Sequence, residues 1–354
     1  MALLFQKLWS SKLQDSINCL SVGKPFLEEL SEENDILIGT TAGRVLILNE
    51  TKPVEGLLET KGGSIQALHL HDLTGFGTLD LAVGDSDGVV TLFTRQQILS
   101  KRDLGSPIRQ LCIYSDLVGG CEIIAGDSNG AITSFQQHEG LWKLNIAEES
   151  AKLATLGTRG RKSPAIHCML STILKDRFGM DMACLLVCDG SPLVHFIQNG
   201  ERIQSLQTPT VIQSLCAGHF LNNETLKRFI RPEKMMHGTY KLDFQQVLMG
   251  GQDGYVYIMI DFEIYQWFRV GFSITSVIQF RPNSLGEDET DMVICTGHSN
   301  EVLIYQNGIQ ISHILTSEWP HAITLGDVNA DGQDELVLGL LDKKIEVYQW
   351  EIKK

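Results

Sequence analysis

The segment DVNADGQDE (327–335) sets oxygen-bearing side chains at alternate positions. Asp327, Asn329 and Asp331 alternate, Gly332 permits a sharp turn, Gln333 can offer its carbonyl, and Glu335 closes the loop. Calcium takes about six to eight oxygen ligands, and this spacing wraps them around one centre. These five residues are the candidate ligands of a single Ca2+; the alternative is a metal-free turn held by side-chain hydrogen bonds. An EF-hand is excluded, because strand-like sequence flanks the loop and its twelfth position is Leu338. The related segment HDLTGFGTLD (71–80) keeps Asp72, Gly77 and Asp80, but Phe76 stands where the third ligand belongs. SDLVGGCE (115–122) is degraded further.

Other chemistry is sparse. His69 and His71 would share one face of a strand, yet no third ligand is in register with them. They read as satisfied core histidines. No G-x-S-x-G, H-E-x-x-H or paired-carboxylate constellation stands out, and GTRGRKS (157–163) lacks the G-K-[ST] of a phosphate loop. The expectation is a protein that is not an enzyme.

The elements that must carry the loop recur along the chain. A branched apolar run ends in a small residue, turns, and continues as an alternating strand, as in DLAVGDSDGVVTLF (80–93), EIIAGDSNGAITSF (122–135), QVLMGGQDGYVYIM (246–259) and DILIGTTAGRVLIL (35–48). Weaker copies begin at Met182, Asp291 and Asp334. The closing residues Gly39, Gly84, Gly126, Cys188, Gly250, Cys295 and Gly339 lie 45, 42, 62, 62, 45 and 44 residues apart. A period of about 45 with several strands per unit is the signature of a β-propeller. The fold class is all-β, a seven-bladed propeller occupying 1–354 as one domain. DSDG, DSNG and GQDG are tight-turn sequences that tolerate positive φ.

The last unit stops at Trp350–Lys354 without a fourth strand, whereas ALLFQKLWSSK (2–12) has the shape of one. Residues 4–12 are therefore expected to complete the last blade and close the ring. Two insertions interrupt the period. Residues 147–164 precede blade 4 and carry Arg159, Arg161 and Lys162; residues 221–243 separate the first two strands of blade 5. In a ring these two loops emerge on opposite faces. The second mixes Lys227, Arg228, Arg231 and Lys234 with Leu226, Phe229 and Met235 on a chain of net charge −14. Long loops in compact domains are commonly functional, and a basic, partly apolar loop suits an acidic partner surface. Lys227, Arg228, Phe229, Arg231 and Lys234 are the candidate partner-binding residues.

The acidic balance argues against nucleic acid as a partner, since phosphates require a basic surface. The eight cysteines form no C-x-x-C pair and sit mostly in apolar runs, as reduced buried thiols do. MALLFQKLWSSK reaches Lys7 too soon for a signal peptide, and no run of about 18 apolar residues suggests membrane insertion. The expected location is cytoplasmic.

The repeat D-x-N-x-D-G-x-x-E-L-V-x-G resembles the FG-GAP repeat of integrin α-chain propellers, although Glu335 is longer than the aspartate usual at its place. PHAITLGDVNADGQDELVLGLLDKKIEVYQW (320–350) is similar to repeats of the integrin-alpha FG-GAP repeat-containing proteins and kaptin, propeller subunits of KICSTOR. The resemblance extends to 72–93 and elsewhere rests on pattern. It implies a non-catalytic scaffold of a hetero-oligomeric complex, which for KICSTOR acts at the lysosomal surface in nutrient signalling to mTOR. Two other families stay open. BBSome propeller subunits, which serve ciliary trafficking, have comparable repeats. GLWKL (140–144) and YQWFR (265–269) resemble the tryptophan-bearing repeats of quinoprotein dehydrogenases, which would require export and a quinone.

Overall fold

The computed structural model describes all residues except 1, 26–32, 50–51, 54–57, 96, 118–119, 147–164, 177–178, 230–244, 287 and 354. The described strands form seven antiparallel sheets, each a blade: five in plain meander order, one that includes the N-terminal strand, and one with two short strands, Lys52–Pro53 and Leu58–Glu59, on its third strand. Blade 1 starts with strand Ile17–Gly23, blades 2 to 6 with strands at Ile65, Ile108, Ile166, Ile212 and Ile274, and blade 7 with Pro320–Gly326. Consecutive first strands touch one another around the ring, which places them innermost. Every second strand is the apolar run read above. Asp35–Thr40, Asp80–Asp85, Gln246–Gly251, Met292–Gly297 and Glu335–Leu340 are buried at every position, because neighbouring sheets cover both of their faces.

The ring closes as expected. Strand Ala2–Lys12 pairs antiparallel with Lys344–Lys353 from Ala2↔Lys353 to Lys12↔Lys344. Leu3 is 1% exposed and packs in one cluster with Phe280, Met292 and Ile304 of blade 6 and Leu336, Tyr348 and Trp350 of blade 7. Lys7 Nζ donates to the buried Glu346 at 2.6 Å across the same seam. Both chain ends thus depend on one blade, whose outer edge the N-terminal strand covers.

The small residue that ends each apolar run has a structural reason. A Cβ built on Gly84 would stand 2.7 Å from Ile108 Cγ2, and one on Gly250 would stand 2.8 Å from Ile274 Cγ2. Gly39, Gly126 and Gly339 meet Ile65, Ile166 and Ile17 in the same way. In each case the isoleucine opening the next blade seats against the glycine and is almost completely buried. Burying one such side chain contributes roughly 1.5–3 kcal/mol, repeated at successive blade junctions. The hairpin glycines have a different reason: Gly88, Gly130 and Gly254 take φ of 91°, 78° and 83° in the turns that follow.

Candidate functional site

Because the strand order repeats around a closed ring, all loops joining first to second strands emerge on one face. Loop 327–335 and the start of the 221–243 insertion share that face. A series of hydrogen bonds ties these loops together. Asn34 Nδ2 of blade 1 donates to the Asp327 carbonyl at 2.7 Å, and Asn283 Nδ2 of blade 6 donates to the Gly332 carbonyl at 2.6 Å. His219 of blade 5 donates its N–H to Asp291 Oδ2 of blade 6 at 2.8 Å and accepts from the Asp291 N–H at 2.8 Å. Arg281 folds the blade 6 loop by reaching Asp291 Oδ1 at 2.6 Å and the carbonyls of Glu289 and Gly286.

Within loop 327–335 the side-chain oxygens serve the loop's own backbone. Asp327 accepts from the N–H groups of Asp331 and Gly332, Asn329 Oδ1 from Asp331, and Asp331 Oδ1 from Gln333 at 2.8 Å. Gly332 turns the chain at φ 83°. Glu335 is buried and accepts from the Val328 N–H at 2.8 Å. Burial pushes its carboxyl up to about 7 despite that N–H, and the charges of Asp331 and Asp327 add to the rise. A cleft of about 220 Å³ beside the loop is lined by Asp331, Gln333, Glu335, Gln349, Trp350 and Glu351. Among the described residues no group of three or more His, Cys, Asp or Glu stands close enough to hold a metal. The loop's hydrogen bonds account for its shape with protein atoms alone.

The structure separates the candidate partner-binding residues. A short helix, Asn223–Leu226, opens the insertion, capped by Asn222 Oδ1, which accepts from the Thr225 N–H at 2.8 Å. Leu226 is buried, and Phe229 packs edge-on against Tyr265 at 5.0 Å between ring centres. Phe229 thus anchors the insertion to blade 5, while Lys227 and Arg228 are exposed. Arg231, Lys234 and Met235 lie outside the described residues, as does the whole 147–164 insertion. Beside the helix a cleft of about 870 Å³ runs between blades 5 and 6, lined by His219, Asn223, Gln246, Arg281 and Asp291. The buried polar groups there are satisfied: Gln246 Oε1 accepts from Phe220 and Leu221, and both Asp291 oxygens are engaged. His69 and His71 are half-buried on the first strand of blade 2; burial lowers His69 to about 4, assisted by His71.

One arrangement escaped sequence reasoning. In blade 4, His195 Nδ1 lies 2.8 Å from Ser205 Oγ, and its Nε2 lies 3.7 Å from Asp189 Oδ2. The second distance is too long for a hydrogen bond. Burial alone would raise Asp189, but His195 and Ser191 outweigh it and hold the carboxyl below its ordinary value. The group has the residue types of a nucleophilic triad. However, Ser205 lies exposed on the outermost strand, and the clefts described above are in other blades. Nucleophilic catalysis also needs a substrate cleft and aligned oxyanion donors, so the geometry suits a clamp across three strands. The tryptophans have packing roles as well. Trp142 and Trp267, each on a fourth strand, lie against Gly200 and Gly308 in the Asn-Gly turns of the next blade.

No family model and no curated protein matches the chain. Solved structures do match over its whole length. The crystal structure of BBS1N in complex with ARL6DN, soaked with mercury, aligns with TM-score 0.70 at 12% identity, covering 99% of this chain and 98% of that one. Its lead-soaked counterpart gives 0.68 at 12% identity, with 99% and 97% covered. The WD40 β-propeller domain of Doa1 gives 0.65 at 10% identity, again with 99% and 97% covered. At such identity the likeness is one of fold. The chain is a seven-bladed β-propeller. Among the described residues no helix is long and apolar enough to cross a membrane.

Proposed function

We propose that the protein is a non-catalytic propeller scaffold that binds other proteins as a subunit of a hetero-oligomeric assembly. The observation that carries this reading is the whole-ring likeness to a propeller, BBS1N, that is itself seen in complex with another protein, ARL6DN. The linked loops of one face supply the surface. Between the assemblies raised by the repeat sequence, a BBSome-like role in ciliary trafficking draws more support, from that likeness. A KICSTOR-like role at the lysosomal surface rests on the repeat at 320–350. Lys227 and Arg228, exposed at the start of the blade 5 insertion, are placed to meet an acidic partner there. Affinity purification of the full chain from its native organism tests the reading. Stoichiometric partners are expected, and Lys227→Glu with Arg228→Glu should weaken their recovery without changing the melting temperature. Recovery of the chain alone, or with a tightly bound quinone, would overturn it.

A further inference from the structure

The face opposite the linked loops carries the turns between second and third strands and the links from each blade to the next. On blades 5 to 7 these segments bring Phe272, His298, Trp319 and Leu341 into one band. Its contacts run without a break. A Cβ on Gly297 would stand 2.7 Å from Phe272 Cδ2, so the Phe272 ring lies against the turn that His298 opens. The His298 N–H donates to the Ser273 carbonyl at 3.0 Å, and its ring stacks on Trp319 with centroids 5.1 Å apart and planes 21° from parallel. The Leu341 N–H donates to the Trp319 carbonyl at 3.1 Å. Leu341 is 49% exposed, Trp319 40%, and Leu315, where the link to Trp319 begins, 67%. Of the five tryptophans, Trp319 is the exposed one. Single exposed apolar residues are ordinary, but a stacked and connected band of them is not.

The band is braced from beneath. The Thr316 N–H donates to the Asn300 carbonyl at 2.9 Å, and Thr316 Oγ1 lies 2.9 Å from that carbonyl and 2.8 Å from the carbonyl of Glu318. The Trp319 N–H donates to Glu318 Oε1 at 3.1 Å. Contact with this surface therefore costs little further ordering. The Trp319 indole N–H and the Asn300 side-chain amide, by contrast, have no hydrogen-bond partner among the described residues. The charges balance. Glu301, Glu318 and Asp342 stand against Lys12, Lys343 and Lys344, with Lys344 Nζ 2.6 Å from Asp342 Oδ2. Asp253 and Arg269 flank the Phe272 end, and Asp15 pairs with Arg44 at 2.6 Å beyond the other. With its histidines neutral, this stretch carries no net charge on a chain of −14.

The geometry points to a docking surface on blades 5 to 7 for an uncharged, proline-rich segment of a partner protein, bound in the extended polyproline II form. This rests on the protein-binding reading above and gives it a second surface with a stated ligand chemistry. Three observations choose the occupant. A band without net charge neither steers a charged helix nor attracts anionic lipid headgroups, and two copies of this chain, each at −14, repel one another. Flat rings held by stacking suit the rigid pyrrolidine ring, as in aromatic-lined grooves that take proline-rich segments. The unused indole and amide donors require carbonyl oxygens. A helix has bonded its own carbonyls, whereas polyproline II leaves every one open.

The test uses the full chain labelled with 5-fluorotryptophan and read by fluorine NMR, with Trp319→Phe to assign the Trp319 signal. The probes are a polyproline peptide, an uncharged alanine-glutamine helix and phosphatidylserine vesicles. Polyproline is expected to shift the Trp319 signal saturably, leave the other four tryptophans in place, and bind alike at low and high salt. Leu341→Ser should weaken that binding about tenfold or more at unchanged melting temperature. A Trp319 signal that polyproline does not move, or moves equally well in Leu341→Ser, overturns the proposal. So does tighter binding of the helix or the vesicles. Partners recovered in the purification above with an unmoved Trp319 signal sink this surface alone; a moved signal with no partner recovered sinks the scaffold reading alone.

Discussion

Closure of the ring by the N-terminal strand makes a quantitative demand on two adjacent residues. Leu3 and Leu4 sit on opposite sides of strand Ala2–Lys12; Leu3 is 1% exposed and Leu4 45%. Leu3→Ala removes a side chain enclosed by both blade 6 and blade 7, and such truncations cost about 2–5 kcal/mol. Leu4→Ala removes one already half in water and should cost about 0.5 kcal/mol or less. A chain of 354 residues has an unfolding entropy of about 0.7 kcal/mol/K, so about 3 kcal/mol lowers the melting temperature by roughly 4 °C. Leu4→Ala should move it by less than about 1 °C. Differential scanning calorimetry of both variants, with a deletion of residues 1–12 alongside, measures this directly. The deletion exposes the third strand of blade 7 as an edge and should lower the melting temperature further than Leu3→Ala. Equal melting of the two leucine variants, or a deletion that melts with the intact chain, would refute closure by this strand.

Three more expectations follow from side chains described above. Gly250→Ala places a Cβ 2.8 Å from Ile274 Cγ2 and should cost about 1–3 kcal/mol, and less than that in an Ile274→Ala background, where Cγ2 is gone; additive effects in the double-mutant cycle would deny the contact. His69, held neutral by burial down to about pH 4, makes the unfolded chain the better proton acceptor below its ordinary value of 6.5. The stability it supports is complete above about 6.5 and is lost as pH falls toward 4, so His69→Gln should flatten the denaturant midpoint over that range; an unchanged pH profile counts against it. Calorimetric titration should find at most one calcium ion, with any binding lost in Asp331→Ala and kept in Asp72→Ala; two sites, or one indifferent to Asp331, would contradict the spacing argument.

Much of the fold could be read from the sequence because a propeller repeats its constraints. The small residue that ends each apolar run marked all seven blades, and the missing fourth strand after Trp350 pointed to residues 4–12. The reason for the small residue could not be read, because its partner lies in another sheet. Ile follows its glycine by 26 residues from Gly39 to Ile65 and by 24 from Gly250 to Ile274, but an insertion separates Gly126 from Ile166. The first strand of every blade carries a bulge, as between Ile65 and Ala67 or Ile274 and Ser276. A bulge is a property of pairing register, and no single strand shows it. Asp189, His195 and Ser205 were invisible for a related reason: three strands bring them together at unequal spacing. Phe229 has a contact of the same long-range kind. Named a partner-binding candidate for its basic and apolar neighbours, it packs edge-on against Tyr265, on the fourth strand of blade 5, which local sequence does not show.

The site was less readable than the fold because one loop position serves different ends in different blades. The same first-to-second-strand connection carries alternating oxygens in blade 7, Phe76 between two glycines in blade 2, and a basic insertion in blade 5. The strands beside these loops face buried neighbours on both sides, so their composition is held apolar whatever the loop does. The loops face water, and only their ends are fixed by the sheet. An aspartate at the loop's start is common to blades 2, 3, 4 and 7, where it accepts backbone N–H groups and sets the turn. That shared aspartate makes the loops look like members of one metal-binding series. What differs is the rest of each loop, which the sheet does not constrain. Phe76 shows the point: it stands exposed where the pattern has its third ligand, yet Asp72 still accepts the backbone N–H groups that set the turn, so the aspartate marks the turn and not the metal.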